Sequence, residues 1–160
     1  MGEGDKPTTN QLEELIASEG VVDRVKIIPP VPYEELLNWT ASADLGLIVY
    51  SPDYSPAIKM CLGNKLFEFL MAGVPVLTSR LDAVVEIIKT YDVGQVVLSL
   101  TPASIGEAIN SMLADRDALA RMHSNALEAA KQELNWEKES QQLACLYQGI
   151  LTRQKNEKGM

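Results

Sequence analysis

The chain has few of the residues that build metal centres and disulfide frameworks. It holds one histidine, His123, and two cysteines, Cys61 and Cys145, in 160 residues. The cysteines are far apart and lack metal-ligand spacing. That fits a reducing compartment, with buried thiols expected rather than a disulfide. Basic residues are outnumbered, 14 Lys and Arg against 22 Asp and Glu, for a net charge of −8. A nucleic-acid binder is usually basic, so the balance argues against nucleic acid as a partner, and it gives no support for an anionic membrane surface. No apolar run approaches the ~20 residues of a membrane span, so no transmembrane segment is expected. The start, Met1 to Thr9, is polar and carries no signal-peptide core. A cytoplasmic location is the expectation. What is present is ordinary for a globular protein: 46% apolar and 22% charged residues, in a length that suits one domain, 1–160.

Strand and helix patterns alternate along much of the chain. Gln11 to Ser18 has Leu12, Leu15 and Ile16 at helical spacing before Gly20. Val25 to Ile28 is a β-branched run closed by Pro29-Pro30 and predicts a strand. Pro32 opens a helix toward Ala41. Leu45 to Tyr50 is nearly all apolar, the pattern of a strand covered on both faces in a parallel sheet. Ser51 to Gly63 reads as a loop of functional length. A helix over Asn64 to Ala72, a strand over Val74 to Ser79, a helix capped by Asp82 and running to Lys89, and a strand over Gly94 to Leu98 follow. Pro102 starts a helix to about Leu113. The rest, to about Lys155, is helical in pattern, with Gln154 to Met160 expected to fray. The order predicts an α/β chain: a Rossmann-like parallel sheet with helices on both faces, followed by a helical carboxyl-terminal region.

One segment joins structure to possible chemistry. At ~100° per residue, Leu62, Leu66, Phe69, Leu70 and Gly73 share one face of the helix around 62–73. Asn64 and Glu68 lie together on another face, with Lys65 between the two sets. Polar groups therefore gather on the first turns, where free N–H groups and the helix dipole favour an anion such as a phosphate. A carboxylate one turn further in suits a ribose diol. Spacing alone leaves a solvated polar face as the alternative. Phe67 and Met71 on the same side show that this face is not wholly polar.

The run Gly63-Asn64-Lys65-Leu66-Phe67-Glu68-Phe69-Leu70-Met71-Ala72-Gly73-Val74-Pro75-Val76 resembles the donor-domain signature of retaining GT-B glycosyltransferases of the group 1, or family 4, type. Its Asn-Lys-Leu-x-Glu-x-Leu form is similar to members that build bacterial surface polysaccharides. Other pieces agree in order. Met1-Gly2-Glu3-Gly4 resembles the Gly-x-Gly end of the second donor-domain strand, and Val25 to Leu36 its strand and Pro-Tyr-x-Glu-Leu segment. Ala43-Asp44 resembles the opening of the next strand, Leu81 to Ile88 with Glu86 a following helix, and Asn135-Trp136-Glu137 the start of the closing helix. The resemblance implies a donor-binding domain for a nucleotide-diphosphate sugar, working in polysaccharide or glycan biosynthesis. Glu68 is similar to the residue that binds the ribose hydroxyls. Gly63, Asn64 and Lys65 lie where the diphosphate and sugar are approached, and Pro30 and Val31 where the nucleobase pocket is lined. The family often works without a metal, so no cofactor is expected and no metal site. No catalytic residue is assigned.

Two departures from the family pattern matter. Many relatives carry a glutamate eight positions before the ribose-binding one; here Met60 stands there. The family's first donor strand, helix and second strand, its phosphate-gripping Arg or Lys, and its acceptor domain have no counterpart before Met1. The chain is therefore expected to be a carboxyl-terminal fragment, inactive alone and needing an acceptor domain or partner chain. Two other functions fit the residues less well: a nucleotide-sugar 2-epimerase on the same fold, and a non-catalytic binding module completed by a partner.

Overall fold

The computed structural model describes residues 4–51 and 53–158, with side chains to Leu151. Met1, Gly2 and Glu3 of the Gly-x-Gly segment lie outside the described residues. The chain divides into two compact units that meet between Leu36 and Leu37.

The first unit begins with helix α1, Lys6–Ser18. It starts five residues before Gln11, the expected start, because Asp5 caps it: the Asp5 carboxylate accepts from the Thr8 N–H at 2.7 Å, with Pro7 in the first turn. This bond holds the Asp5 carboxyl below its ordinary value. The cap is therefore in place above the carboxylate range and is lost as pH falls through the lowered value. Gly20, at φ +66°, ends the helix. Its N–H donates to the Ala17 carbonyl and that of Val21 to Ile16, the paired bonds of a glycine-closed helix end. Val25 to Ile28 is not a strand. Val25 instead closes a turn onto the Val21 carbonyl, and Val25 and Ile27 stay 46% and 43% exposed. A β-branched run becomes a strand only where a ladder partner exists. A 3-10 turn at Tyr33–Glu35 follows, then α2, Leu36–Thr40.

The second unit is built on three parallel strands in the order β1-β2-β3: Gly46–Ile48, Val76–Thr78 and Gly94–Val96. Leu47 pairs with Leu77, and Leu77 with Gln95. Between β1 and β2 run α3, Pro56–Met60, and α4, Asn64–Met71. Between β2 and β3 runs α5, Asp82–Tyr91. Three helices follow: α6, Pro102–Ala114, α7, Arg116–Gln132, and α8, Trp136–Lys158. The carboxyl-terminal pattern is thus two helices. They part at Asn135, whose side-chain amide donates to the Ala130 and Lys131 carbonyls while its oxygen caps α8 at the Lys138 N–H. Helix α8 continues to Lys158, into the segment expected to fray. Among the described residues, no helix is long and apolar enough to cross a membrane.

The alternation of β2 divides the core. Val76 packs in one cluster with Ile48, Leu66, Leu70, Val84 and Ile88, to which α7 adds Ala126 and Ala130. Leu77 packs in the other with Val97, Met112 and Met122. Helices α4 and α5 therefore supply one face and α6 the other, with α7 contributing to both, as the parallel pattern predicts. Central β2 is wholly buried. The apolar run over Leu45–Tyr50 overstates the cover of β1, because Leu47 remains 44% exposed.

Two glycines are required by packing. The Phe69 ring lies against Gly46, where an added Cβ would stand 2.7 Å from a ring carbon. At Gly94 a Cβ would overlap the Val76 carbonyl oxygen, which is backbone and cannot turn aside. Gly106, inside α6, has nothing within 4 Å of such a carbon. Gly94→Ala is therefore expected to lose about 3 kcal/mol or more through overpacking. Gly106→Ala should gain about 0.5–1 kcal/mol from helix propensity. Urea unfolding midpoints of the two variants check both signs.

Candidate functional site

The residues singled out on α4 are placed by two leucines. Leu66 and Leu70 are fully buried in the core, each burial contributing about 1.5–3 kcal/mol. Their side of the helix is thereby fixed inward. Leu62 precedes the helix and is 40% exposed, so it is not part of the packed face. The helix ends at Gly73, φ +71°, whose N–H donates to Leu70 while that of Val74 donates to Phe69. The imidazole of His123, exposed on α7, lies against Gly73. This is a packing role.

With the leucines inward, Asn64 and Lys65 are exposed and Glu68 is half-buried. None of their side chains has a hydrogen bond or ion pair among the described residues. The start of the helix is equally unoccupied. Gly63 is its N-cap and offers no side-chain bond. The contrast with other helices is chemical. Asp5, Ser55, Thr101 and Asp115 each cap their own helix with a side-chain oxygen. At α4 the Leu66 N–H turns back to the Gly63 carbonyl at 3.0 Å, while those of Asn64 and Lys65 have no acceptor among the described residues and keep their hydrogens for another.

Gly63, Asn64, Lys65 and Glu68 thus come together on the first two turns of one helix. Pro30 and Val31 belong to the first unit. There they form extended chain before the 3-10 turn, Pro30 exposed and Val31 half-buried. Met60, where many relatives carry a glutamate, ends α3 and is 71% exposed. Helix α3 itself was not expected inside the long loop. Its signal was present in Ser55-Pro56: the serine oxygen accepts from the Ile58 N–H and proline occupies the first turn. Asp82 is not a cap. Leu81 holds that position, without a side-chain bond, and Asp82 is the first helical residue, where its charge complements the dipole. Cys61 and Cys145 are free and exposed, not buried. Among the described residues, no group of three or more His, Cys, Asp or Glu side chains converges to hold a metal ion.

Residues 2–129 match the family of group 1 glycosyl transferases. The chain belongs to that family. It is 32% identical over 116 residues to a D-inositol 3-phosphate glycosyltransferase of Nocardia farcinica, covering 72% of this chain and 24% of that protein. It is 27% identical over 140 residues to the protein of the same name from Geodermatophilus obscurus, covering 86% and 28%. Its fold is that of a sucrose-phosphate synthase from Thermosynechococcus elongatus, with a TM-score of 0.76 at 22% identity, over 94% of this chain and 36% of that one. It also matches WaaG, a glycosyltransferase involved in lipopolysaccharide biosynthesis, with a TM-score of 0.66 at 24% identity, over 82% and 33%. The chain spans between 24% and 34% of the length of the curated relatives it matches.

The family resemblance left unmarked the residue that ties down the strand end beside α4. Ser79, 1% exposed, donates its hydroxyl to the Tyr50 carbonyl at 2.6 Å and accepts from the Tyr50 N–H at 3.1 Å. Thr78 donates to the Ile48 carbonyl. A side chain thus continues the β1–β2 ladder past its last backbone bond and fixes where the loop over 51–63 departs. Tyr50 lines the same recess as Gly63 and Lys65. No motif announces this, since a serine after a buried strand looks like any turn residue. Ser79→Ala leaves both Tyr50 backbone groups without that partner. It is expected to lower stability by about 1–3 kcal/mol and to speed hydrogen exchange at the Tyr50 amide more than at amides of β3, as measured by NMR.

Proposed function

We propose that the chain is the donor-binding half of a glycosyltransferase that moves a sugar from a nucleotide-diphosphate sugar to an acceptor in glycan or polysaccharide synthesis. The observation that carries this is the uncapped start of α4, with three unpaired polar side chains on its first two turns. In this reading the diphosphate accepts from the N–H groups that follow Gly63 and is faced by Lys65, with Asn64 as a further donor. Glu68, one turn on, accepts from the ribose hydroxyls. No cofactor is needed beyond the donor itself. Rate enhancement would come from orientation and from stabilising the diphosphate as it leaves with developing negative charge. The acceptor would be held by a further domain or a partner chain, in the cytoplasm, where nucleotide sugars are met.

The position of α4 supports this reading. It begins after β1 and its connecting loop, at the side of the sheet where the strands end, which is where open α/β sheets bind ligands. Membership in the family supports the reaction class.

Calorimetric titration of the 160-residue chain with UDP, GDP and ADP sugars is expected to show binding of at least one, and assay with candidate acceptors no transfer. Glu68→Ala should weaken binding by about ten- to a hundredfold, the loss of hydrogen bonds to a charged group. Gly63→Asp separates site from scaffold. A carboxylate at the N-cap should raise stability by a few tenths of a kcal/mol while repelling the diphosphate and lowering affinity. A chain that binds none of these donors, or binds them alike with and without Glu68, would instead be a module of another kind.

A further inference from the structure

A recess of about 220 Å³ lies beside the start of α4. Its walls include Ile48, Ile58, Leu81 and Val84, and Tyr50 brings the one aromatic ring among the lining residues. Among the described residues, Lys65 is the one charged side chain lining it, and no carboxylate or side-chain amide does so. Tyr50 is 46% exposed, so the recess can be reached from outside. It is pinned from behind by Ser79, which gives this wall a fixed backbone.

The side of α4 on which the recess sits identifies which end of a donor reaches it. Gly63, Lys65 and Leu66 line it, and Glu68 does not. Resting on the donor-site reading above, ribose and base belong with Glu68 and the diphosphate with the helix start. The group on the far side of the diphosphate is the sugar. A ring placed against these walls finds aliphatic surface and an aromatic ring but almost nothing to receive its hydroxyls. A buried hydroxyl without a partner is unfavourable, while a methyl group gains from leaving water.

We propose that this recess receives the sugar end of the donor and selects a sugar presenting a methyl group, a 6-deoxy carbon or an N-acetyl methyl, over its fully hydroxylated counterpart. The test uses matched donors on the 160-residue chain: UDP-N-acetylglucosamine against UDP-glucose, GDP-D-rhamnose against GDP-mannose, and UDP and GDP alone. The methyl-bearing member of at least one pair is expected to bind about tenfold more tightly. Ile58→Ser should erase that preference. The affinity for the bare diphosphate in the same series reports whether the start of α4 is intact. In the wild type, NMR should show magnetisation transfer between the sugar methyl and the methyls of Ile48, Ile58 or Leu81, a readout that depends on no variant. Equal or tighter binding of the hydroxylated sugars, or no such transfer, overturns the methyl selection and leaves the donor-site reading standing. Failure of UDP and GDP themselves to bind defeats the donor-site reading, and this proposal with it.

Discussion

The burial of Leu66 and Leu70 orients everything else at the candidate site. Both side chains are fully removed from water and pack with Val76 of the central strand and with Ala126 and Ala130 of α7. A helix anchored at two positions four residues apart cannot roll without exposing one of them. Asn64, Lys65 and Glu68 are consequently presented by the core, and their direction is a consequence of hydrophobic packing. Phe69, laid across the backbone of Gly46, adds a steric reason. It brings α4 close to β1 and ties the helix to the strand whose end opens the loop.

A second constraint acts at right angles to the first. The three-residue strands are short, and their backbone ladder alone would release the chain soon after Ile48. Thr78 and Ser79 extend the pairing with side-chain oxygens, two of whose bonds go to Tyr50. Both residues are buried, so loss of these bonds would leave backbone groups at the strand end without their partner. The floor of the candidate site is held by packing under α4, and its wall by hydrogen bonds at Tyr50. The loop between them carries α3 as a single capped turn.

The sequence revealed most where side-chain pattern and local backbone rules agree. Helix α4 was legible because its apolar spacing, the glycine that closes it and the apolar strand that follows all point the same way. The parallel sheet was legible from the apolar run over Leu45–Tyr50 and from the alternation of strand and helix patterns, which the apolar run over Val74–Ser79 continues. Val25–Ile28 was misread because β-branched residues state a preference and not a partner. Leu47 was misjudged for a related reason: an apolar run does not say which face stays open. The exposed cysteines follow the same logic, since cysteine's average burial says nothing of a particular loop or helix face. Asp82 shows how fine the boundary is. One residue decides whether a carboxylate caps a helix or sits inside its first turn, and the buried Leu81 takes the cap position because the core needs it. Of the candidate site, Asn64, Lys65 and Glu68 could be gathered from spacing on one helix, and Gly63 from the family resemblance. Ser79 and Tyr50 could not, because they meet across 29 residues.

The missing cap at α4 connects stability to binding. Among the described residues, four helices satisfy an early N–H with an Asp, Ser or Thr oxygen, and a fifth, α8, does so through Asn135. Helices α4 and α5 begin without one, and both begin on the side where β1 and β2 end. For α5 the first-turn Asp82 answers the dipole with its own charge. For α4 nothing does. Gly63 and Asn64 leave the positive end of that dipole bare, and Lys65 adds to it. An uncapped start costs a helix only tenths of a kcal/mol when the cap is glycine, so the loss to the fold is small. The gain is a pair of N–H groups, those of Asn64 and Lys65, with no internal acceptor among the described residues. In the proposed reading an anion would accept from those N–H groups, with the Glu68 carboxylate one turn further along the helix. Under the proposed donor-binding reading, such a helix start with a carboxylate one turn on suits a ligand that carries negative charge at one end and hydroxyls beyond it, as a nucleoside diphosphate does.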